Sequence, residues 1–387
     1  MEPIQLAAVL AAVVLVASMA SVELGVTVAL LELTLGVIAG NVFDLQSQEW
    51  LDFIAAFASI VLTFLAGMEV DTDYMRDRAK ATVALGVGSF AGPFIVATLV
   101  CYLALDWSGR ASLIAGTALS TTSLAVVYAV LVERDLSDTR IGKLLMSATF
   151  VTDLCTALAL SAIFLEPNLW FPAFLVVSLA LIVLLPRIAP WFFGRYGDRV
   201  IEPEIKLVFA SLLVLMVLAD ASNGHAVLPA FVLGLMMSRH YEEHREEQRR
   251  LRVVAFSFLT PFFFLKGGLN VSLGAVFANL GLLAVLLAAK MLPKLGLVYP
   301  LARRAAPRHA AFSTLLMSTG LTFGTISALF GLNAGIIDGT QFSLLVAVVV
   351  LSAVVPTAIA ERWFLPDPER ERHEERRHPP FPAEEYV

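Results

Sequence analysis

Long, uninterrupted runs of apolar residues constrain the fold of this chain more than any other feature of its sequence. The runs are about 17–25 residues long, the length that an α-helix needs to cross the hydrocarbon core of a bilayer. Apolar residues make up 58% of the chain, charged residues only 16%, and the mean hydropathy is +0.80. Soluble globular domains are much less apolar. The sequence therefore predicts an all-α, polytopic membrane protein.

Hydropathy and the polar breaks between the runs predict thirteen transmembrane segments. The first run has no basic stretch in front of it and is followed by further apolar runs, so we expect no cleaved signal peptide. The segments are 4–21, 22–41, 51–70, 79–105, 111–132, 139–165, 169–187, 204–220, 223–239, 251–267, 273–300, 308–331 and 341–363.

The distribution of basic residues supports this count independently. With the N-terminus outside, 23 of the 27 Lys and Arg residues fall in loops and the tail on one side, as the positive-inside rule requires of the cytoplasmic side. Arg110 and Lys266 fall on the other side, and Lys290 and Lys294 lie inside a segment. We expect a multi-pass protein of the bacterial cytoplasmic (inner) membrane, with its N-terminus outside and its C-terminus cytoplasmic.

Few ionisable side chains lie inside the predicted segments, where each is costly and marks a functional hypothesis. Asp153 stands alone in "FVTDLCTALAL", residues 150–160, and Lys290 and Lys294 lie four residues apart around Pro293. Either lysine could instead extend its ammonium to the interface. For Glu32, in "LLELTLGVIAGN", a packing role and an ion-pathway role both remain open. An acid and a basic pair in one bundle favour mutual pairing.

Hydroxyl residues and glycines interrupt two further segments. The interruptions are "TALSTTSLAV" at 117–126 in the fifth segment and "MSTGLTFGTISALFG" at 317–331 in the twelfth. Either stretch alone is compatible with close helix packing through small residues. Their offset of seven segments makes them cross the membrane in opposite directions, and matched interruptions of an inverted repeat indicate a transporter's binding site. We expect repeats of segments 1–6 and 8–13, with a small-cation site where the broken helices cross.

Several stretches together resemble the cation:proton antiporter-2 family, which contains bacterial sodium/proton antiporters and glutathione-gated potassium efflux systems. The resemblance covers about residues 22–360, and its stretches are "ELTLGVIAGN", "FLAGMEVD", "GTALSTTSLAVVYAVL", "FVTDL", "LPKLG" and "STGLTFGTISALFGLNAGIID". It implies a core domain and a dimerising scaffold around a linker helix, and therefore a homodimer. The expected domains are scaffold at 1–70 and 204–267, core at 79–165 and 273–363, linker at 169–187, and a disordered cytoplasmic tail at 364–387.

The resemblance also implies roles for individual residues. Asp153 takes the place of the aspartate that binds a monovalent cation or a proton in turn, Thr122 and Ser123 that of the cation-site hydroxyls, and Lys294 that of the buried lysine. Thr152 stands where electrogenic relatives carry Asp and electroneutral ones Asn, and we expect it to offer a neutral oxygen. The second broken helix lacks the Arg-Gly-Glu often found in the family. Possible secondary site residues are Lys290, Glu32, Thr121, Gly320 and Thr322.

These observations predict alternating-access exchange of sodium or potassium for protons, a reaction that serves pH homeostasis. With one carboxylate binding either ion, we expect electroneutral exchange, no cofactor, no nucleic-acid partner and no enzymatic activity. The alternative is a sodium-coupled symporter of a small organic anion. An intramembrane aspartyl protease would need a second aspartate at similar depth, and a channel would need a continuous polar pathway; the sequence contains neither.

Overall fold

The computed structural model is all-helical over the residues that it describes. The described residues are 2–24, 27–68, 78–134, 136–137, 139–163, 168–197, 199–222, 224, 226–367 and 369. The end of the third predicted segment and nearly all of the predicted tail therefore lie outside the described residues.

Helices or interrupted helices coincide with each of the predicted segments. They are α1 (Pro3–Leu24), α2 (Val28–Val42), α3 (Glu49–Met68), α4 (Ala79–Leu103), α5 (Gly109–Ser120), α6 (Leu124–Glu133), α7 (Arg140–Ile163), α8 (Phe171–Tyr196), α9 (Pro203–Ala221), α10 (Val227–Glu243), α11 (Arg245–Val254), α12 (Thr260–Leu269), α13 (Leu273–Ala278), α14 (Leu280–Pro293), α15 (Tyr299–Ala305), α16 (Ala310–Met317), α17 (Thr322–Asn333) and α18 (Gly339–Trp363). Among the described residues, nine helical stretches are long and apolar enough to cross a bilayer. The all-helical membrane fold is thus confirmed, and the count of thirteen crossings stays a prediction.

The linker helix differs most from its predicted bounds. We expected it to end at residue 187, but α8 continues through Pro186 and Pro190 to Tyr196. A proline removes one backbone hydrogen bond, and membrane helices tolerate this when local adjustments satisfy the freed carbonyl. Phe193, in this added part, is buried and packs edge-on against His240 of α10. The apolar contact therefore extends the helix beyond the charged Arg187.

Two pairs of helices cross at glycine residues, and we call these contacts glycine crossings. Their matching geometry reveals the repeat in the packing. Gly36 of α2 lies against the backbone of Leu265, and Gly268 of α12 lies against that of Leu33. Each glycine thus faces a carbonyl oxygen of the partner helix, and that carbonyl belongs to the residue three positions before the partner glycine. A methyl group at either glycine would collide with this backbone. Such close approach is the usual role of small residues in membrane helix pairs.

The pair α3–α10 has the same geometry. Gly67 meets the carbonyl of Phe231, and Gly234 meets that of Phe64, again three residues before the partner glycine. The pair α2–α12 joins the second and tenth predicted segments. The pair α3–α10 joins the third and ninth. In the predicted repeat, the second segment corresponds to the ninth and the third to the tenth. The repeat therefore converts one pair into the other, as an inverted repeat requires.

The helices pack as two groups. One consists of α4–α7 with α14–α18, and the other of α1–α3 with α9–α12, while α8 packs on α9 and α10. The groups touch where Phe231 of α10 lies between Phe150 of α7 and Phe323 of α17, at ring-centroid distances of 5.0 and 6.4 Å. The predicted division into scaffold and core has similar but not identical boundaries in sequence and remains a prediction.

Candidate ion-binding site

Both predicted interruptions are breaks in the helices. α5 ends at Ser120 and α6 begins at Leu124, and the backbone at Thr121 is extended. α16 ends at Met317 and α17 begins at Thr322. Hydroxyl side chains compete with the backbone for carbonyls and so favour helix ends. They do so here, because Thr121 Oγ1 donates to the Ala118 carbonyl at 3.1 Å and Thr319 Oγ1 to the Leu316 carbonyl at 2.7 Å.

The two breaks contact each other in the buried interior. Thr122 Oγ1 donates to the Met317 carbonyl at 2.9 Å, and the backbone N–H of Ser123 donates to Thr319 Oγ1 at 3.5 Å. Glycine makes the contact possible, since a methyl group on Gly324 would lie 3.0 Å from the Ala118 carbonyl oxygen. The broken helices therefore cross as their sequence pattern predicts.

The ammonium of Lys294 lies at this crossing and donates to four oxygen atoms. Its Nζ is 2.7 Å from Ser89 Oγ, 3.0 Å from Thr122 Oγ1, 2.7 Å from the Met317 carbonyl and 3.3 Å from the Thr121 carbonyl. The two carbonyls lie at the C-terminal ends of α16 and α5, where helix dipoles concentrate negative partial charge. One buried Nζ group thus bonds the carbonyls at two helix ends.

Lys290 reaches the same place from one helical turn away. Its Nζ lies 3.5 Å from the Thr121 carbonyl oxygen and packs directly against Gly320. Lys294 begins a π-helical turn, Lys294–Val298, which follows Pro293; such turns are frequent at functional sites. Both lysines are fully buried. The proline between them does not prevent them from facing one carbonyl, and neither extends to an interface.

Asp153 lies in α7 and is 1% exposed. Its carboxylate lies within electrostatic range of Lys294, as does the side chain of Lys290. α7 packs on α4 and α5, so the same helix contacts that bury Asp153 bring it towards the first break. The structure therefore places an acid, a base and a set of neutral oxygens in one buried region.

Thr152 and Ser123 make hydrogen bonds other than those around Lys294, and their role as cation ligands stays a prediction. Thr152 Oγ1 donates towards the carbonyls of Gly86 at 3.2 Å and Ala148 at 3.1 Å, so the hydroxyl faces α4. Consecutive helix residues are rotated by about 100°, which turns Thr152 away from the side that Asp153 occupies. Ser123 Oγ accepts the N–H of Val126 at 3.4 Å and caps α6.

Ser89 is the site residue that the sequence analysis missed. It is fully buried in α4, and besides binding Lys294 its hydroxyl lies 3.3 Å from both Thr122 Oγ1 and the Met317 carbonyl. A lone serine in "LGVGSFAG" gives no signal by itself, because small residues abound in packed membrane helices. Its role depends on α4 packing beside α5 and α14.

Two of the possible secondary site residues, Glu32 and Thr322, make none of the contacts described around Lys294. Glu32 is 1% exposed in α2, whose neighbours are α1 and α12, so the structure does not bring it to the crossing. Thr322 begins α17 and is half-buried. Within the described residues no group of three or more His, Cys, Asp or Glu side chains could hold a metal ion.

Comparison with known proteins gives consistent matches over nearly the whole chain. The chain is 26% identical over 340 residues to a probable Na(+)/H(+) antiporter 3 of Methanocaldococcus jannaschii, covering 83% of this chain and 86% of the relative. It is 23% identical over 361 residues to the Na(+)/H(+)-K(+) antiporter GerN of Bacillus cereus, covering 89% and 92%. Its fold is similar to the solved sodium proton antiporter MjNhaP1 of Methanocaldococcus jannaschii, with a TM-score of 0.67, 12% identity and coverage of 93% and 97%.

The family match settles the resemblance found in the motifs. The family model described as sodium/hydrogen exchanger, transmembrane, matches residues 8–364. This range includes both broken helices, Asp153 and the two buried lysines. The chain therefore belongs to the sodium/hydrogen exchanger family of transmembrane proteins.

Proposed function

We propose that the protein exchanges a monovalent cation, sodium or potassium, for protons across the bacterial cytoplasmic membrane, by alternating access and without net charge movement. Cation/proton antiport is the activity of the family to which the chain belongs. The observation that carries the detailed proposal is the buried crossing, where Lys294 binds four oxygens beside Asp153. The relative named for both sodium and potassium supports leaving the cation open between the two.

Competition at Asp153 couples the two ions. A carboxylate in a low-dielectric interior needs a proton or a cation to neutralise it, and binding either one excludes the other. The hydroxyls of Ser89 and Thr122 and the carbonyls at the helix ends provide neutral oxygens near the carboxylate, the ligand type that alkali cations prefer. Lys294 now holds these oxygens, so an entering cation must share them with the ammonium or displace it.

The division of the helices into two packing groups supports alternating access, because one group could move relative to the other. α4–α7 and α14–α18 carry every residue of the crossing, while α1–α3 and α9–α12 carry none. We propose that the first group moves against the second when Asp153 is neutral, because an uncompensated charge resists passage across the apolar contact around Phe231. We further propose that the second group, together with α8, which packs on it, forms a homodimer, with the exposed apolar residues of α1 and α8 facing lipid or the second copy.

The decisive test is exchange in proteoliposomes with a pH-sensitive dye. We expect Asp153→Asn to abolish sodium- and potassium-dependent proton movement, because the neutral amide cannot take up a proton. The matched control is Asp220→Asn, which makes the same change at an exposed position at the end of α9. Wild-type exchange rates in Asp153→Asn would refute the site.

The symporter alternative finds no support in the comparisons, which name antiporters. It predicts uptake of an organic anion that depends on sodium and moves no protons. Sodium-driven uptake of this kind by the purified protein, together with absence of proton movement, would favour it over antiport.

A further inference from the structure

A basic cavity lies apart from the proposed cation site, where the helices α4, α7 and α16 begin. Its volume is about 370 Å³, near the lower end of the range for small-ligand pockets. Among the described residues that line it, none is acidic, and four carry basic side chains. These four are Arg78, Arg140, Arg308 and His309.

Helix N-termini add to the positive potential of this cavity. α4 begins directly after Arg78, and α16 begins directly after His309, and neither start has a side-chain cap. α7 begins at Arg140 itself. The first N–H groups of a helix are free to bind an anion, and the helix dipole favours negative charge there. Arginine side chains and two uncapped helix starts therefore lie around one partly open cavity.

We propose that this cavity binds a phosphate-bearing anion, supplied either by a phospholipid headgroup or by a soluble phosphate compound. Arginine binds phosphate through paired N–H groups, and basic pockets between membrane helices on the cytoplasmic side are suited to anionic headgroups. The cavity lies on the face that the positive-inside rule assigns to the cytoplasm. Its lining of Ile141, Leu144 and Ala81 provides an apolar wall beside the charged groups.

The cavity is connected to the cation site through all three helices. α4 carries Ser89, α7 carries Asp153, and α16 runs from the cavity to Met317, whose carbonyl accepts from Lys294. An anion that holds the three helix starts together also fixes the other parts of these helices relative to one another. This consequence depends on the proposed exchange function, whereas binding of the anion does not.

Binding is tested on the full chain in neutral detergent, with no transport required. The probes are inorganic phosphate and short-chain phosphatidic acid, each titrated against sodium chloride of equal ionic strength and followed by thermal stabilisation. The variant R78Q/R308Q removes two exposed arginines of the cavity. The matched control R303Q/R304Q removes two exposed arginines in the last turn of the neighbouring helix α15, which do not line the cavity.

We expect wild type and R303Q/R304Q to bind at least one probe equally, and R78Q/R308Q to bind it about 10- to 30-fold more weakly, since it lacks two of the four basic side chains that line the cavity. Binding of phosphatidic acid without phosphate binding identifies a lipid source, and comparable binding of both identifies a soluble one. Equal affinity in the two double variants, or equal stabilisation by chloride, overturns the proposal. If R78Q/R308Q does not fold, R308Q against R304Q makes the same comparison.

Discussion

At the crossing of the broken helices, a single ammonium group is bonded to oxygens from three different helices and stabilises the ends of two. Lys294 binds Ser89 of α4, Thr122 and the Thr121 carbonyl after α5, and the Met317 carbonyl at the end of α16. Lys290 contributes one longer contact to the same Thr121 carbonyl. The two lysines four residues apart are therefore unequal, although the sequence alone does not distinguish them.

We expect Lys294→Met to lower the free energy of unfolding by about 2–4 kcal/mol, because two buried carbonyl oxygens lose their Nζ donor and each unsatisfied buried acceptor costs about 1–3 kcal/mol. Lys290→Met is the matched control and should cost less than about 1 kcal/mol, since its bond at 3.5 Å is at the limit of hydrogen-bond geometry. Thermal unfolding in detergent measures both. Equal losses would show that Lys294 has no special place at the crossing.

Ser89 and Thr152 allow a second comparison at the residue scale. Ser89→Ala should raise the cation concentration for half-maximal exchange about 5- to 10-fold, because it removes a neutral oxygen from the crossing, a difference of about 1 kcal/mol. Thr152→Val should change it less than about 3-fold, since that hydroxyl is engaged with Gly86 and Ala148. A larger effect of Thr152→Val would return Thr152 to the cation site and exclude the geometry described above.

At the scale of the elements, the glycine crossings fix how closely the helices of the second group pack. Gly36 and Gly268 join α2 to α12, and Gly67 and Gly234 join α3 to α10, in matching geometry. Packed membrane helices gain little from the hydrophobic effect, because lipid is as apolar as the helix surface. Close backbone contact is therefore the main source of attraction in these pairs.

We expect Gly268→Ala to destabilise the protein strongly, because its methyl group would collide with the Leu33 carbonyl, which belongs to rigid helix backbone. A loss of about 1–3 kcal/mol is the usual cost of overpacking. Gly194→Ala in α8 is the control, since no atom lies within 4 Å of its added methyl group, and it should leave the melting temperature unchanged or raise it. Thermal unfolding of the two variants decides the matter, and similar melting temperatures would contradict the crossing.

At the scale of the whole molecule, the proposed binding of either a cation or a proton by one carboxylate, that of Asp153, predicts exchange without net charge. An exchanger that moves one excess charge gains or loses about 2.3 kcal/mol at 100 mV, which corresponds to a roughly 50-fold shift in the final cation gradient. We expect no such shift when the membrane potential of proteoliposomes is clamped at 0 and at −100 mV. A potential-dependent gradient would mean that a lysine at the crossing also gives up a proton in each cycle.

The sequence by itself determined that the protein lies in a membrane, its fold class and its family. Apolar runs of helical length dictate a helical membrane protein, since the bilayer offers no other partners for backbone groups. Hydroxyl and glycine residues locate both breaks because they act locally on the helix that contains them. Asp153 and Lys294 stand out because charge is rare in such segments.

Only the tertiary structure decided which oxygens surround the ammonium. Ser89 contacts Lys294, and Thr152 contacts the carbonyls of Gly86 and Ala148, because of how α4 packs against α7 and α14, and neither position has a distinctive local pattern. Glu32 and Asp153 are both single acids in apolar segments, yet α2 packs on α12 while α7 packs beside the first break. Helix-to-helix contacts form between residues far apart in the chain, and apolar periodicity does not specify which helices meet.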